Sequence, residues 1–163
     1  MELGIQTTYD APLVKRASFQ FWKRKQGSDA VIAPLVFLLV SYFFFIEQHT
    51  SWYVGFFLAV SLIYLLTVYA VLYVCRKRSL ALFKSMGENT AKWKFTESNI
   101  SCESGAGKAE LNWSSIIQLW KLSEVWLLVY ANETYSTLPV VNLNHEVQEL
   151  IQKKVLEHGG KIT

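Results

Sequence analysis

The chain has 163 residues, of which 52% are hydrophobic, 15% aromatic and 18% charged, with a formal net charge of +3. Few Pro and Gly and only two Cys exclude a disordered, collagen-like or disulfide-stapled chain. Between residues 30 and 75 only Glu47 carries a full charge, and segregation of that kind argues against a wholly soluble single-core protein.

Leu3, Ile5, Thr7 and Tyr9 alternate with Gly4, Gln6 and Thr8, the period-2 pattern of a short strand. Asp10 ahead of Ala11 and Pro12 fits an N-cap followed by a helix-tolerated proline. Residues 13–25 then read as a basic, partly apolar helix with Phe19 and Trp22 on neighbouring turns. Its Lys15, Arg16, Lys23, Arg24 and Lys25 serve either as an attachment to anionic head groups or as a plain topology signal.

Residues 30–46 form an uncharged run covering roughly 25 Å as a helix, just long enough to span a bilayer core. Residues 52–75 form a second run of about 36 Å, enough to cross with tilt. The link 47–51 is so short that the two helices return as an antiparallel hairpin. A signal peptide does not fit, because a long segment precedes the first run and no small-x-small cleavage site follows it. Neither run has the polar face that a surface helix would need. Basic residues flank the hairpin on one side, with Arg76, Lys77 and Arg78 after it, and the link has none. Both termini are therefore expected in the cytoplasm and the 47–51 loop outside. Neither run holds an ionisable residue of the kind that transport chemistry needs. Ser41, Ser61 and Thr67 are expected to bond one turn back. Gly55 and Ala59, a small-x-x-x-small pair, serve packing within the hairpin or a dimer face.

Residues 76–90 continue the helix for one or two turns until Gly87 breaks it. From residue 91 the period changes to two. Trp93 and Phe95, then Ile100 and Cys102, then Ala109, Leu111 and Trp113 alternate with polar neighbours, and residues 104–107 read as a hairpin turn. Apolar runs at 116–122, 125–130 and 134–138 bring the strand count after the membrane to six, which indicates a curved antiparallel sheet or small barrel. Asn144 is the expected N-cap of a last helix with the apolar stripe Val147, Leu150, Ile151 and Val155, a Glu149–Lys153 pair, and Gly159 and Gly160 as its stop.

The order of these parts, with F-T-E-S-N-I (Phe95 to Ile100), L-N-W-S-S-I-I (Leu111 to Ile117, with Trp113), W-L-L-V-Y and Y-S-T-L-P (ending Leu138, Pro139), resembles the YcxB-like family of bacterial membrane proteins over nearly the whole chain. The resemblance implies a pleckstrin-homology-like C-terminal domain at residues 91–163, in the cytoplasm, carried by a two-helix transmembrane hairpin in the inner membrane. It implies no activity. Val140 and Val141 stand where family members often have a basic residue, so no binding role by charge carries over there. The Leu3 to Tyr9 strand would complete a seven-stranded barrel.

No catalytic, metal or cofactor constellation emerges. Gly105 to Lys108 lacks the first Gly and the final Ser or Thr of a phosphate loop, with Cys102 and Ala109 in those places. His145 and Glu146 begin like a zinc-protease helix, but Glu149 stands in place of the second His. Cys75 and Cys102 fall on the reducing side of the membrane, against a disulfide. After Cys75 eleven Lys or Arg face nine acidic residues, too even a balance for nucleic-acid binding. The expectation is a non-enzymatic multi-pass membrane protein whose cytoplasmic domain meets a protein partner or regulates one; of Trp113, Trp120 and Trp126 some are expected in the core, Trp113 above all, and any that is exposed is a candidate contact anchor. The alternative is an anionic-lipid-sensing or self-assembling module, a homo-oligomer through Gly55 and Ala59.

Overall fold

The computed structural model describes residues 2–27, 29–46 and 52–163, apart from the Val31 side chain. The expected outer loop, with Glu47 and His49, lies outside the described residues. The architecture is α+β: N-terminal helices, then β-sheets closed by a C-terminal helix. The chain divides into two compact units, one of residues 1–17 with 79–163 and one of residues 18–78.

In the second unit, α2 (Asp29–Ile46) and the first part of α3 (Trp52–Ser85) pack antiparallel. Phe57 stacks on Phe37 and Phe44 with ring centroids 6.2 and 6.1 Å apart, and Tyr64 Oη donates to the Asp29 carbonyl at 3.3 Å. Ser41 and Thr67 bond one turn back, to the Phe37 and Ile63 carbonyls. Ser61 does not. Buried at the helix contact, it donates across to the Pro34 carbonyl at 3.4 Å. Among the described residues α3 alone is long and apolar enough to cross a membrane, and only 6% of its apolar window is buried. The apolar stretch Ile32–Ile46 of α2 is shorter.

The first unit starts with β1 (Leu3–Thr8) and the opening turns of α1 (Ala11–Gln26), whose N-cap Asp10 accepts from Leu13 N at 2.7 Å. α3 runs nearly three turns past Cys75 to Ser85, further than the one or two turns expected, and Gly87 at φ 72° turns the chain into β2 (Thr90–Phe95). β3 (Asn99–Ser104) and β4 (Gly107–Asn112) follow, and the first sheet has the order β1-β2-β3-β4, antiparallel throughout. β1 pairs with β2 from Leu3↔Phe95 to Thr8↔Thr90, so the two ends of the chain share one sheet. Thr7, Trp93, Phe95 and Ile100 turn inward, while Lys92, Lys94, Glu103, Lys108 and Glu110 occupy the other face.

A 3₁₀ turn at Trp113–Ser115, where the strand reading ran one residue too long, leads into β5 (Ile116–Lys121), β6 (Val125–Tyr130) and β7 (Tyr135–Pro139). β6 is buried along its whole length because both faces of its sheet are covered. Trp126, Leu128 and Tyr130 enter the core shared with the first sheet. Trp120, Val125, Leu127 and Val129 are buried on the other side, where Ser79 of α3 hydrogen-bonds the Tyr135 hydroxyl at 3.0 Å and Arg16 of α1 meets Glu124 at 3.0 Å. α4 (His145–Glu157) starts at Asn144, whose Oδ1 accepts from Val147 N at 2.9 Å, and buries Val147, Ile151 and Val155 completely. Lys153 pairs with Glu157, one turn on, at 3.8 Å.

A strand absent from the sequence reading, β8 (Lys161–Ile162), returns from α4 to pair parallel with β5, giving the order β7-β6-β5-β8. Gly160 makes that return feasible. A Cβ there would sit 2.7 Å from Val155 Cγ1 and 3.0 Å from the Ile116 carbonyl oxygen.

Candidate functional site

The eight basic residues singled out near the apolar segments are all exposed. Lys15 and Arg16 lie in the first turns of α1, and Arg16 is engaged by Glu124. In the second unit the Arg76 guanidinium lies 6.0 Å from the Phe19 ring centroid, and Phe19 stacks on Trp22 at 6.0 Å. That contact brings the start of the 76–78 triplet to α1, one turn before Lys23, Arg24 and Lys25. Lys15, Lys23, Lys77 and Arg78 make no ion pair among the described residues. Lys77 and Arg78, which follow the apolar stretch of α3, are chemically suited to phosphate head groups.

Gly55 and Ala59 are exposed, and a Cβ at Gly55 would meet nothing within 4 Å. Among the described residues Tyr53, Phe57, Ser61 and Tyr64 of α3 meet α2, and they lie on the other side of the helix. The motif residues Phe95, Ile100, Trp113, Leu138 and Pro139 are buried and Leu111 half-buried. Trp113 Nε1 donates to the Thr96 carbonyl at 2.9 Å, which ties the start of β5 to the β2–β3 turn. These are packing residues. Val140 leans on the core, and Val141 beside it is 89% exposed.

Trp113 lies in the core as expected, and neither Trp120 nor Trp126 is exposed as a contact anchor would be. Trp93 and Trp113 are buried in the core between the two sheets, and Trp126 and Trp120 are buried on the inner and outer faces of the second sheet. The large apolar side chains that do face out of the β-rich unit are Leu82, Ile117, Val141 and Leu156.

Catalytic geometry is sparse. A groove of about 730 Å³ between β1 and α4 is lined by Leu3, His145, Glu146, Glu149, Leu150, Gln152 and Lys153. His145 Nδ1 lies 3.5 Å from Glu149 Oε1, and Cys102 is not part of the lining. Burial pushes the Cys102 thiol up to about 11, the reverse of what a nucleophile needs. Burial likewise raises Tyr9 and Tyr130 to about 12. Tyr9 Oη donates to the Thr137 carbonyl at 2.8 Å and accepts from Trp93 Nε1 at 3.2 Å, which ties the two sheets together, while Tyr130 Oη donates to Ser136 Oγ at 2.9 Å within the second sheet. No group of three His, Cys, Asp or Glu gathers for a metal ion among the described residues.

Two features had no sequence signal strong enough to find them. Lys154 bonds Glu97 at 2.8 Å and holds that carboxylate below its usual range, joining α4 to the β2–β3 turn across a long sequence separation. β8 is too short for a periodicity to register. Compared with family models, with curated proteins and with solved structures, the chain matches none.

Proposed function

We propose that this chain is a non-enzymatic protein of a bacterial inner membrane that presents its β-rich unit in the cytoplasm to bind or regulate another protein. The observation that carries the reading is α3, whose apolar length is exposed nearly all round and which continues without a break to Ser85, five residues before β2. A span continuous with the unit it carries is the construction of an anchor that displays a domain. Two spans with both termini inside, through α2 and α3, fit the distribution of basic residues.

Seven longer strands divided four and three ahead of a closing helix support a pleckstrin-homology-like fold and, with the motif order, membership of the YcxB-like family. Folds of this kind carry many roles, so the role rests on the surface and not on the fold. Photo-crosslinking residues at Ile117, Val141 and Leu156 in native membranes test the reading. The expected result is one recurring protein adduct. Adducts confined to lipid would overturn it.

The exposed, unpaired Lys15, Lys23, Lys77 and Arg78 favour a second reading, an anionic-lipid sensor. In nanodiscs, protease protection at Lys23 to Lys25 should then rise with anionic lipid content and fall in high salt. Protection that ignores both would remove this reading.

A further inference from the structure

The first sheet ends on a free edge. Among the described strands β4 pairs with β3 alone, and every β4 residue except the half-buried Leu111 is exposed. The two-residue turn at Gly105 and Ala106 sets Ser104 against Gly107, and the register continues through Cys102↔Ala109 and Ile100↔Leu111. The pair that closes such a turn is hydrogen-bonded, and bonded and non-bonded pairs alternate along an antiparallel ladder. Gly107, Ala109 and Leu111 therefore bond to β3. The main-chain N–H and C=O groups of Lys108 and Glu110 point the other way, as an unpaired row.

Sheet edges are commonly guarded by charge, Lys above all. Here the two guards have opposite signs and flank a small residue. Lys108 and Glu110 share the outer face, where the Asn99 side-chain amide donates to Glu110, and Ala109 between them turns to the inner face. Consider two copies of β4 running antiparallel with Ala109 on the two-fold axis. Each Lys108 then stands opposite Glu110 of the second copy, twice over, and these are the residues whose main-chain groups face outward. Backbone and charge thus call for one and the same register. A slip of two residues either way sets Lys108 against Lys108 or Glu110 against Glu110, like charges directly opposite, which are destabilising.

We propose that β4 is a homotypic docking edge: a second copy of this chain adds its own β4 antiparallel, centred on Ala109, and joins the two first sheets into one. The contact is isologous and closes at two copies. It uses no residue of α1, α2 or α3, so its failure and the failure of the membrane reading are separable.

The test is oxidative crosslinking of the full chain in native membranes, with Ala109→Cys placed in a Cys75→Ser, Cys102→Ser background. On the axis the two Ala109 Cα atoms form a non-bonded pair about 4.5 Å apart, within disulfide reach. A covalent dimer should form readily there, and not from Lys92→Cys, exposed on β2 away from the edge. Lys108→Glu or Glu110→Lys should each lower the dimer yield about tenfold by replacing opposite-charge pairs with like-charge ones, and the double exchange should restore it. Crosslinking at Ala109→Cys no stronger than at Lys92→Cys, or a double exchange no better than the singles, would overturn the proposal. So would an adduct to a different protein in place of the dimer. Energy transfer between differently labelled wild-type copies in vesicles needs no cysteine at the edge, and its absence would be equally decisive against the docking edge.

Discussion

Tyr9→Phe asks whether a strand drawn from the far end of the chain is a working part of the β-rich unit. Tyr9 follows β1, is 8% exposed, and its hydroxyl donates to Thr137 at 2.8 Å and accepts from Trp93 at 3.2 Å. Losing one oxygen leaves the ring in place and two groups in the interior without their partner. A neutral bond contributes about 1 kcal/mol net, and more when the abandoned group stays dry, so a loss of about 2 kcal/mol is expected. For a unit the size of residues 1–17 with 79–163, that corresponds to a fall in melting temperature on the order of 10 °C. The assay is thermal unfolding of the full chain in detergent followed by tryptophan fluorescence, which Trp93, Trp113, Trp120 and Trp126 report from buried positions. Melting indistinguishable from wild type would refute the reasoning, because the hydroxyl would then join nothing of consequence.

Alkaline pH should destabilise the same unit. Burial raises Cys102 from 9.0 to about 11 and Tyr9 and Tyr130 from 10.0 to about 12. The folded form holds these protons more tightly, so their contribution is complete below pH 9.0 and is lost as pH rises through the folded values near 11 and 12. A melting temperature flat across that window would contradict this, and Cys102→Ala should delay the onset. Gly105→Ala should cost about 1–3 kcal/mol by overpacking. Its Cβ would lie 2.2 Å from the Met86 carbonyl oxygen, whereas Gly4→Ala, with nothing nearer than 3.8 Å, should be silent in the same melts. Asn144→Ala removes the bond to Val147 N and should cost about 1 kcal/mol, with Asn144→Asp retaining most of it in urea titrations.

Much of the secondary structure could be read locally. The period-2 stretches around Trp93, Ile100 and Leu111, the Asp10 and Asn144 caps and the Gly87 break all rest on neighbours a few residues apart, so local pattern suffices. The candidate sites were less legible. Alternation places Trp113, Trp120 and Trp126 on strands, but only the packing of the two sheets against each other buries Trp113, and only the covering of both faces around β6 buries Trp120 and Trp126. Lys108 and Glu110 read as an ordinary polar face until the strand order leaves β4 at an edge.

Contiguous residues alone are enough to segregate an apolar stretch from a strand-rich one, since charge and period are local properties. Tertiary structure alone decided that Leu3 to Thr8 pairs with Thr90 to Phe95, that Lys154 finds Glu97, that Ser61 reaches Pro34, and that Lys161 and Ile162 return to β5. Each of these joins residues distant in the chain, and a partner of that kind is selected by how whole faces pack and which backbone groups still need a bond. No local pattern encodes that choice.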